Sequence, residues 1–281
     1  MDFTWQDLVD YLLALSGAIP EEGTGIYLLY EEDNCLIEKL WSGSEVLEQV
    51  LIAEDVRADT PALYLLDGDT RLVFYVDTQN VLRRGRYDTD EEEWQVETEG
   101  EGDVIIPQGS KLSGCFTPAG EQIVFFQNQS GRLQGIQIRD STWELLSPTP
   151  AEPVEATRHL VIRSADESLY LFYIGRDGYI HYLVKGLETG EWQDNVLKSP
   201  IPGQIVNFMV IPDEDMKFEA HLLTADRLMG IDKQGGLIDF GKVVEGKFIP
   251  ISGQECVIET IRLVIKGVKA ISGKTLKAKK K

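Results

Sequence analysis

Residues 72–94 read LVFYVDTQNVLRRGRYDTDEEEW, which is an apolar run, a polar turn, a second run, an acidic turn and a tryptophan. Asp and Asn in such linkers favour tight hairpins because they tolerate positive φ. The same order recurs twice further along the chain. The tryptophans that close the three units, Trp94, Trp143 and Trp192, are each 49 residues apart. So regular a spacing predicts a structural repeat of antiparallel strands, with each tryptophan packed between neighbouring units.

Another apolar run precedes each of these pairs. The three runs are Ala62–Leu66, Leu112–Phe116 and His159–Ile162. Each unit then has four short strands, which is the composition of a β-propeller blade. Two further units fit the pattern less closely, at residues 26–52 and 205–231. The sequence therefore predicts an all-β propeller with at least five blades.

The two ends of the chain suggest a sixth blade. Residues 262–265 and 272–276 resemble blade strands without a tryptophan, and Phe3-Thr4-Trp5-Gln6-Asp7-Leu8 resembles the missing tryptophan strand. Joining the two ends would remove exposed sheet edges, so a six-bladed propeller closed by the N-terminal strand is predicted. The alternative is five blades plus a C-terminal helix, because Ile258, Ile261, Ile265, Val268 and Ile271 could share one helical face.

Composition limits the partners of the chain. Asp and Glu number 47 against 27 Lys and Arg, so most of the surface would repel phosphate backbones and anionic membranes. No secretory signal or long apolar span is visible, and three cysteines far apart suit free thiols in a reducing compartment. We expect a single domain over residues 1–281, located in the cytoplasm, with a mobile basic tail at 277–281 and with neither nucleic acid nor membrane as partner.

Cofactor motifs are missing from the sequence. It contains no G-x-G-x-x-G, C-x-x-C or H-E-x-x-H pattern, so we expect no cofactor and no metal. The three histidines, His159, His181 and His221, all fall in predicted strands, where they could simply be buried and hydrogen-bonded. His159 has a second interpretation: together with Arg163 and with Tyr64 or Leu65, it could line a cavity where innermost blade strands converge.

The repeated pattern of strand, turn, strand and tryptophan resembles the fungal fucose-binding lectins, which form six-bladed propellers. In that family an arginine on the second strand and a glutamate about twelve residues later form the sugar pocket with aromatic side chains. The corresponding pairs in this chain are Arg71 with Arg83, Gln122 with Gln134, Leu169 with His181, Lys217 with Met229, and Gly25 with Ile37. None retains the arginine–glutamate couple, so the resemblance implies the fold while the fucose site is lost.

The size of the chain and its lack of a secretion signal also resemble the cofactor-free propeller enzymes of fungal natural-product pathways, including hetero-Diels–Alderases. This resemblance implies a cyclase that joins a dehydrated quinone methide to a terpene by holding both in an apolar pocket. The candidate catalytic residues are His159, Arg163 and His221; the candidate substrate-binding residues are Tyr64, Arg71, Arg83, Phe116, Tyr173 and His181.

Two other functions stay open at this point. One is a cytosolic carbohydrate-binding protein with altered specificity, and the other is a protein-interaction platform. The expected ligand is accordingly a small hydrophobic substrate or a glycan, and a homodimer is possible in either case.

Overall fold

The computed structural model describes residues 3–4, 18, 25–42, 46–97, 103–117, 119–164, 168–185, 190–197, 201, 203–212 and 217–251. Within these ranges the secondary structure consists of strands and turns, and no helix is long and apolar enough to cross a membrane. The strands form five antiparallel sheets, which we number I to V in chain order.

Sheets II, III and IV are the three tryptophan-containing units. Each is a four-stranded meander in which consecutive strands pair. Sheet II contains β5 (Leu63–Asp67), β6 (Thr70–Val76), β7 (Leu82–Asp88) and β8 (Glu93–Glu97). Sheet III contains β9 (Ser113–Phe116), β10 (Gln122–Gln127), β11 (Leu133–Arg139) and β12 (Thr142–Leu145). Sheet IV contains β13 (His159–Arg163), β14 (Leu169–Ile174), β15 (Ile180–Lys185) and β16 (Trp192–Val196).

The tryptophans occupy equivalent positions in these sheets. Trp94 pairs with Tyr87, Trp143 with Ile138 and Trp192 with Lys185, always near the start of the fourth strand. Each ring packs on the preceding sheet; for example, the Trp143 and Phe74 ring centroids are 6.3 Å apart. This confirms both the repeat and the predicted packing of the tryptophans between units.

The cores of these sheets follow from strand alternation. On β6, Val73 and Tyr75 face sheet I, whereas Leu72, Phe74 and Val76 face sheet III. Such a strand is buried on both sides, and its nearly continuous apolar sequence reflects that. The hairpins between the second and third strands close on polar residues as predicted; in sheet III, Asn128 Oδ1 accepts from the backbone N–H groups of Ser130 and Arg132.

Sheets I and V depart from the four-strand pattern. Sheet I contains β2 (Ile26–Glu32), β3 (Cys35–Trp41) and β4 (Val46–Ala53), and Ala18 forms an isolated bridge to Tyr27. Sheet V contains β17 (Ile205–Pro212), β18 (Phe218–Thr224), β19 (Arg227–Ile231), β20 (Leu237–Val244) and β21 (Lys247–Pro250), with β1 (Phe3–Thr4) as its sixth strand. The strands β20 and β21 were not predicted individually.

The six-bladed prediction requires a correction. The described residues form five sheets, the number in the alternative prediction. The N-terminal strand does pair with a late part of the chain, but its partner is β21, through Phe3 opposite Phe248. It therefore extends sheet V and does not complete a separate blade. Residues 262–276 and the alternative helix at 258–271 lie outside the described residues, as do Trp5 and the tail at 277–281.

Contacts divide the chain into two compact units. One comprises Leu29–Lys39 and Gln49–Val196, and therefore sheets II to IV with part of sheet I. The other comprises Met1–Leu28, Leu40–Glu48 and Leu197–Lys281, which includes sheet V. The candidate sites below all lie within the first unit, except where sheet V is named.

Candidate functional site

A cleft opens between sheets II and III, at the end where the β5–β6, β9–β10 and β11–β12 turns lie. Its volume of about 830 Å³ is in the range of small-molecule sites. We call it the II/III cleft. Its lining mixes charged, polar and apolar side chains, among them Asp67, Thr70, Leu72, Arg84, Arg86, Glu97, Phe116, Glu121, Gln122, Arg139 and Asp140.

Arg84 forms the buried base of this cleft, since alternation along β7 turns it to the same side as the core residue Leu82. Its Nε donates to Glu97 Oε2 at 2.8 Å, and Nη2 contacts the same oxygen. Nη1 donates to Gln122 Oε1 at 2.9 Å, and Nη2 to the Asp140 carbonyl at 2.8 Å. These contacts come from both sheets, so the guanidinium is fixed by charge-assisted hydrogen bonds.

The walls of the II/III cleft offer both donors and acceptors. Glu121 forms an ion pair with Arg139 and accepts a hydrogen bond from Gln137, each at 2.5 Å. Glu97 uses only Oε2, so its Oε1 has no donor among the residues that the structure describes. The exposed guanidinium of Arg86 likewise has no hydrogen-bond partner within the described ranges. A ligand with hydroxyl groups could therefore both donate and accept here.

The equivalent place between sheets I and II is filled by side chains. Arg71 donates from Nη2 to Glu38 and from Nε to the Tyr64 hydroxyl, at 2.9 Å for the latter. Tyr64 in turn donates to Glu38 Oε1 at 2.5 Å. The guanidinium carbon of Arg71 lies 3.6 Å from the Tyr87 ring centroid, and Trp94 Nε1 donates to Glu38 Oε2 at 3.4 Å. An arginine–glutamate couple thus exists here, but its members come from adjacent sheets.

Electrostatics keeps the Arg71 guanidinium of that couple charged. Burial lowers the pKa of Arg71, but its hydrogen bond to Glu38 and the nearby negative charge outweigh burial and raise the pKa above its usual value. Burial, followed by the charge of Glu38, also raises the pKa of Tyr64, so the phenol stays neutral and remains a donor. Glu38 is only 2% exposed, so burial of its carboxylate depends on its three partners Arg71, Tyr64 and Trp94.

The candidate catalytic residue His159 is buried on β13, with both ring nitrogens occupied. Nε2 lies 3.0 Å from the Lys111 carbonyl, which can only accept, so Nε2 carries the proton. Nδ1 therefore accepts from the Ser113 hydroxyl at 2.6 Å. Burial, opposed by the Lys111 contact and reinforced by Arg158, lowers the pKa of His159 to about 4. The imidazole is neutral at ordinary pH and joins β13 to β9.

The other two candidate catalytic residues lie elsewhere. Arg163 is exposed at the end of β13 and donates to the Phe116 carbonyl at 3.1 Å. His221 lies on β18 in sheet V, with its ring centroid 5.5 Å from that of Phe240. Burial lowers the pKa of His221, while the charge of Glu219 acts in the opposite direction. His159 and Arg163 therefore share a strand, whereas His221 belongs to the other compact unit.

The candidate substrate-binding residues fall into four places. Tyr64 and Arg71 meet between sheets I and II, as described above. Arg83 pairs with Asp77 at 2.7 Å beside the β6–β7 turn, so the two arginines of the lectin-like pair have separate carboxylate partners. Phe116 lines the II/III cleft, and its carbonyl accepts from Arg163.

The fourth place contains Tyr173 and His181 within sheet IV. Their ring centroids are 5.2 Å apart. Tyr173 donates to Asp194 at 3.1 Å, and the two nitrogens of His181 lie 3.3 Å from Asp194 and 3.0 Å from Asp177. Burial and the charge of Asp194 raise the pKa of Tyr173 above its usual value.

The sequence prediction missed the residues that build the II/III cleft, notably Arg84 and Glu97. A signal for Arg84 was present, because a charged residue two positions after Leu82 falls on the buried side of an alternating strand. In the lectin pattern, Gln122 is only the counterpart of the sugar-binding arginine. Its actual role is to accept the Arg84 hydrogen bond.

The described residues contain no group of three or more His, Cys, Asp or Glu side chains placed to hold a metal ion. Two of the three cysteines are described, Cys35 and Cys115, and both are free thiols of intermediate exposure. Burial raises the pKa of Cys115 to about 11, so this thiol is unreactive at neutral pH.

Comparison with solved structures shows the fold. AofleA from Arthrobotrys oligospora matches with a TM-score of 0.63 and 18% sequence identity, over 86% of this chain and 73% of that one. The lectin of Aleuria aurantia, a fungal lectin with a six-bladed β-propeller fold and a fucose recognition mode, matches with a TM-score of 0.57 and 12% identity over 81% and 78% of the chains. The BP39L lectin from Burkholderia pseudomallei matches with a TM-score of 0.56 and 13% identity over 78% and 66%.

These similarities confirm a fucose-lectin-like β-propeller fold. No family model matches the sequence, and no curated protein does so either.

Proposed function

We propose that this chain, which has the fold of the fucose-lectin propellers, binds an uncharged saccharide in the II/III cleft. The observation that carries the proposal is the fixed network of Arg84, Glu97 and Gln122 at the base of a cleft of about 830 Å³. Sites for polar ligands place a few oriented hydrogen-bonding groups in a concave surface, and this network supplies them.

The chemistry of the lining suits a sugar. Glu97 Oε1 can accept from a ligand hydroxyl, and the exposed Arg86 can donate to one. Phe116 and Leu72 add an apolar surface, against which the C–H face of a sugar ring can pack. This polar lining suits a saccharide better than the two hydrophobic reactants of a cyclase.

The charges of the cleft favour a neutral ligand. Arg84 is neutralised by Glu97, and Arg139 by Glu121. Asp67 and Asp140 exceed Arg86 by one negative charge, and the chain as a whole has a formal net charge of −20, so both oppose an acidic ligand. An uncharged saccharide needs no counter-ion in this setting.

The cyclase of the sequence analysis stays a prediction. His159, its first candidate acid, uses both ring nitrogens for contacts within the protein. The cytoplasmic location, the single domain, the possible homodimer and the exclusion of nucleic acid and membrane as partners also stay predictions.

A glycan array followed by calorimetric titration of the best-bound saccharide tests the proposal. Glu97→Gln should weaken binding about tenfold, equivalent to about 1.4 kcal/mol. Glu144→Gln is the matched control, since Glu144 is exposed on β12 and outside the cleft lining, and it should leave the affinity unchanged.

Glu97→Gln also weakens the support of Arg84, so a second variant separates binding from folding. Phe116→Leu keeps an apolar side chain but removes the aromatic ring, and we expect it too to weaken binding with the melting temperature nearly unchanged. A glycan array without signal above background would refute the proposal. Equal losses of saccharide affinity in Glu97→Gln and Glu144→Gln would refute it as well.

A further inference from the structure

A second cleft lies between sheets III and IV, beside the β10–β11 turn. Its volume is about 550 Å³. In an antiparallel meander this turn lies at the opposite end of sheet III from the β9–β10 and β11–β12 turns, which border the II/III cleft. The other walls are the segments that lead into β9 and β13. We call this second site the III/IV cleft.

Gln127 joins the walls of the III/IV cleft. Its backbone N–H donates to Ser110 Oγ at 2.8 Å, in the segment before β9. Its side-chain Nε2 donates to the Gly131 carbonyl at 2.8 Å and to the Val154 carbonyl at 3.0 Å. Because two carbonyls fix the NH2 group, the orientation of the amide is determined. The residue is only 5% exposed and therefore forms a rigid part of the cleft.

The amide oxygen of Gln127 is available to a ligand. Among the described residues no donor reaches Oε1 of Gln127. In the described part of the chain, the only side-chain polar atom that is both buried and without a partner is Trp143 Nε1. Gln127 Oε1 has no partner either, so it must be accessible to solvent. Because Gln127 lines the cleft, Oε1 can accept a hydrogen bond from a ligand bound there.

The rim of the III/IV cleft supplies the complementary groups. The exposed side chains of Gln108 and Arg176 have no hydrogen-bond partner in the described ranges, and both can donate. Glu155, also on the rim, balances the charge of Arg176. Pro107 and Pro153 give apolar wall surface, and the lining residues that the structure describes include no aromatic ring. Sugar rings favour aromatic platforms, so this lining suits a different ligand from the II/III cleft.

We propose that the III/IV cleft binds a secondary amide, whose N–H donates to Gln127 Oε1 and whose carbonyl accepts from Arg176 or Gln108. A secondary amide carries one donor and one acceptor and no charge, which matches an accessible acceptor, donors at the rim and a balanced charge. Its flanking carbons would contact the two prolines. Two sources share this chemistry: a peptide backbone and the N-acetyl group of an amino sugar.

Solution NMR of the ¹⁵N-labelled full chain tests this, with the side-chain NH2 signal of Gln127 as the readout. The probes are N-acetylglycine N-methylamide, N-acetylglucosamine and glucose. We expect saturable shifts with at least one of the two amides and none with glucose. A response to one amide alone identifies the source. An equal response to glucose would overturn the amide specificity, and no response to any probe would overturn the site.

Arg176→Gln should weaken amide binding at least threefold. Arg132→Gln is the control and should not weaken it, because Arg132 is exposed beside the same β10–β11 turn but lies outside the cleft lining. Equal effects of the two variants would count against the proposal. Glu97→Gln should leave the Gln127 shifts unchanged, so failure of the saccharide proposal at the II/III cleft and failure of the amide proposal are distinguishable.

Discussion

Arg71 of sheet II forms an ion pair with Glu38 of sheet I, and this pair lies beside the apolar cluster that the two sheets share. The side chains are 14% and 3% exposed, so both charges are largely removed from water. Tyr64 and Trp94 complete the hydrogen bonding of the carboxylate. A buried pair of this kind is costly to break, because either partner alone becomes an uncompensated buried charge.

Arg71→Gln should therefore destabilise the protein by about 3 kcal/mol or more. Arg83→Gln is the matched control, since the Arg83–Asp77 pair is more exposed and should contribute no more than about 1 kcal/mol. Chemical denaturation of both variants measures the difference. Similar losses from the two substitutions would contradict the role given to Glu38.

Trp94 and Trp143 should respond differently to replacement by phenylalanine. Trp94 Nε1 donates to Glu38, whereas Trp143 Nε1 is buried with no partner among the described residues. The guanidinium carbon of Arg84, itself a donor group, lies 5.9 Å from the Trp143 ring centroid. Both substitutions lose ring area, but only Trp94→Phe loses a hydrogen bond. We expect Trp94→Phe to cost about 1 kcal/mol more in the free energy of unfolding. A larger loss for Trp143→Phe would be inconsistent with this account.

His159 should make stability depend on pH in the acid range. Its folded pKa of about 4 lies below the ordinary value of 6.5, so the unfolded chain binds more protons between these values. The neutral imidazole therefore contributes to the free energy of unfolding fully above about pH 6.5, and this contribution is lost as pH falls toward 4. The total loss is on the order of 3 kcal/mol. His159→Gln should flatten this part of the curve of unfolding free energy against pH. An unchanged slope would show that other groups cause it.

Two strand glycines give a matched test of packing. A Cβ at Gly114 on β9 would lie 2.4 Å from the Ile123 carbonyl oxygen and 2.8 Å from Leu63, so backbone must shift. A Cβ at Gly85 on β7 would meet its nearest neighbour, Ile52, at 3.4 Å. We expect Gly114→Ala to cost about 1–3 kcal/mol and Gly85→Ala to be nearly neutral. Thermal unfolding of the two variants would measure the difference. Equal melting temperatures for Gly114→Ala and Gly85→Ala would argue against the close packing of β9 on β10.

Much of the fold could be predicted from the sequence because its signals are local. The spacing of Trp94, Trp143 and Trp192, together with the polar turns, located sheets II to IV, and the first strand of each sheet begins within one residue of its predicted position. Strands β20 and β21 were not identified individually because no tryptophan marks them. The pairing of Phe3 with Phe248 was not predicted either, because the sequence pattern assigned the N-terminal strand to a sixth blade with residues 262–276.

The candidate site was harder to predict because its contacts join different sheets. Arg71 was compared with Arg83, its neighbour in the lectin pattern, whereas its partner Glu38 lies 33 residues away in sequence. Arg84 draws on Glu97, Gln122 and Asp140, and the last of these contributes a backbone carbonyl that no side-chain pattern reveals. Strand periodicity shows which residues face inward, but it does not show which of them meet across an interface.

A crystal structure of the protein with the saccharide that the array identifies tests the central claim most directly. The account predicts ligand density in the II/III cleft, with a sugar hydroxyl within hydrogen-bond distance of Glu97 Oε1. Density at another place on the chain, with the II/III cleft free of ligand at saturating saccharide, would contradict it.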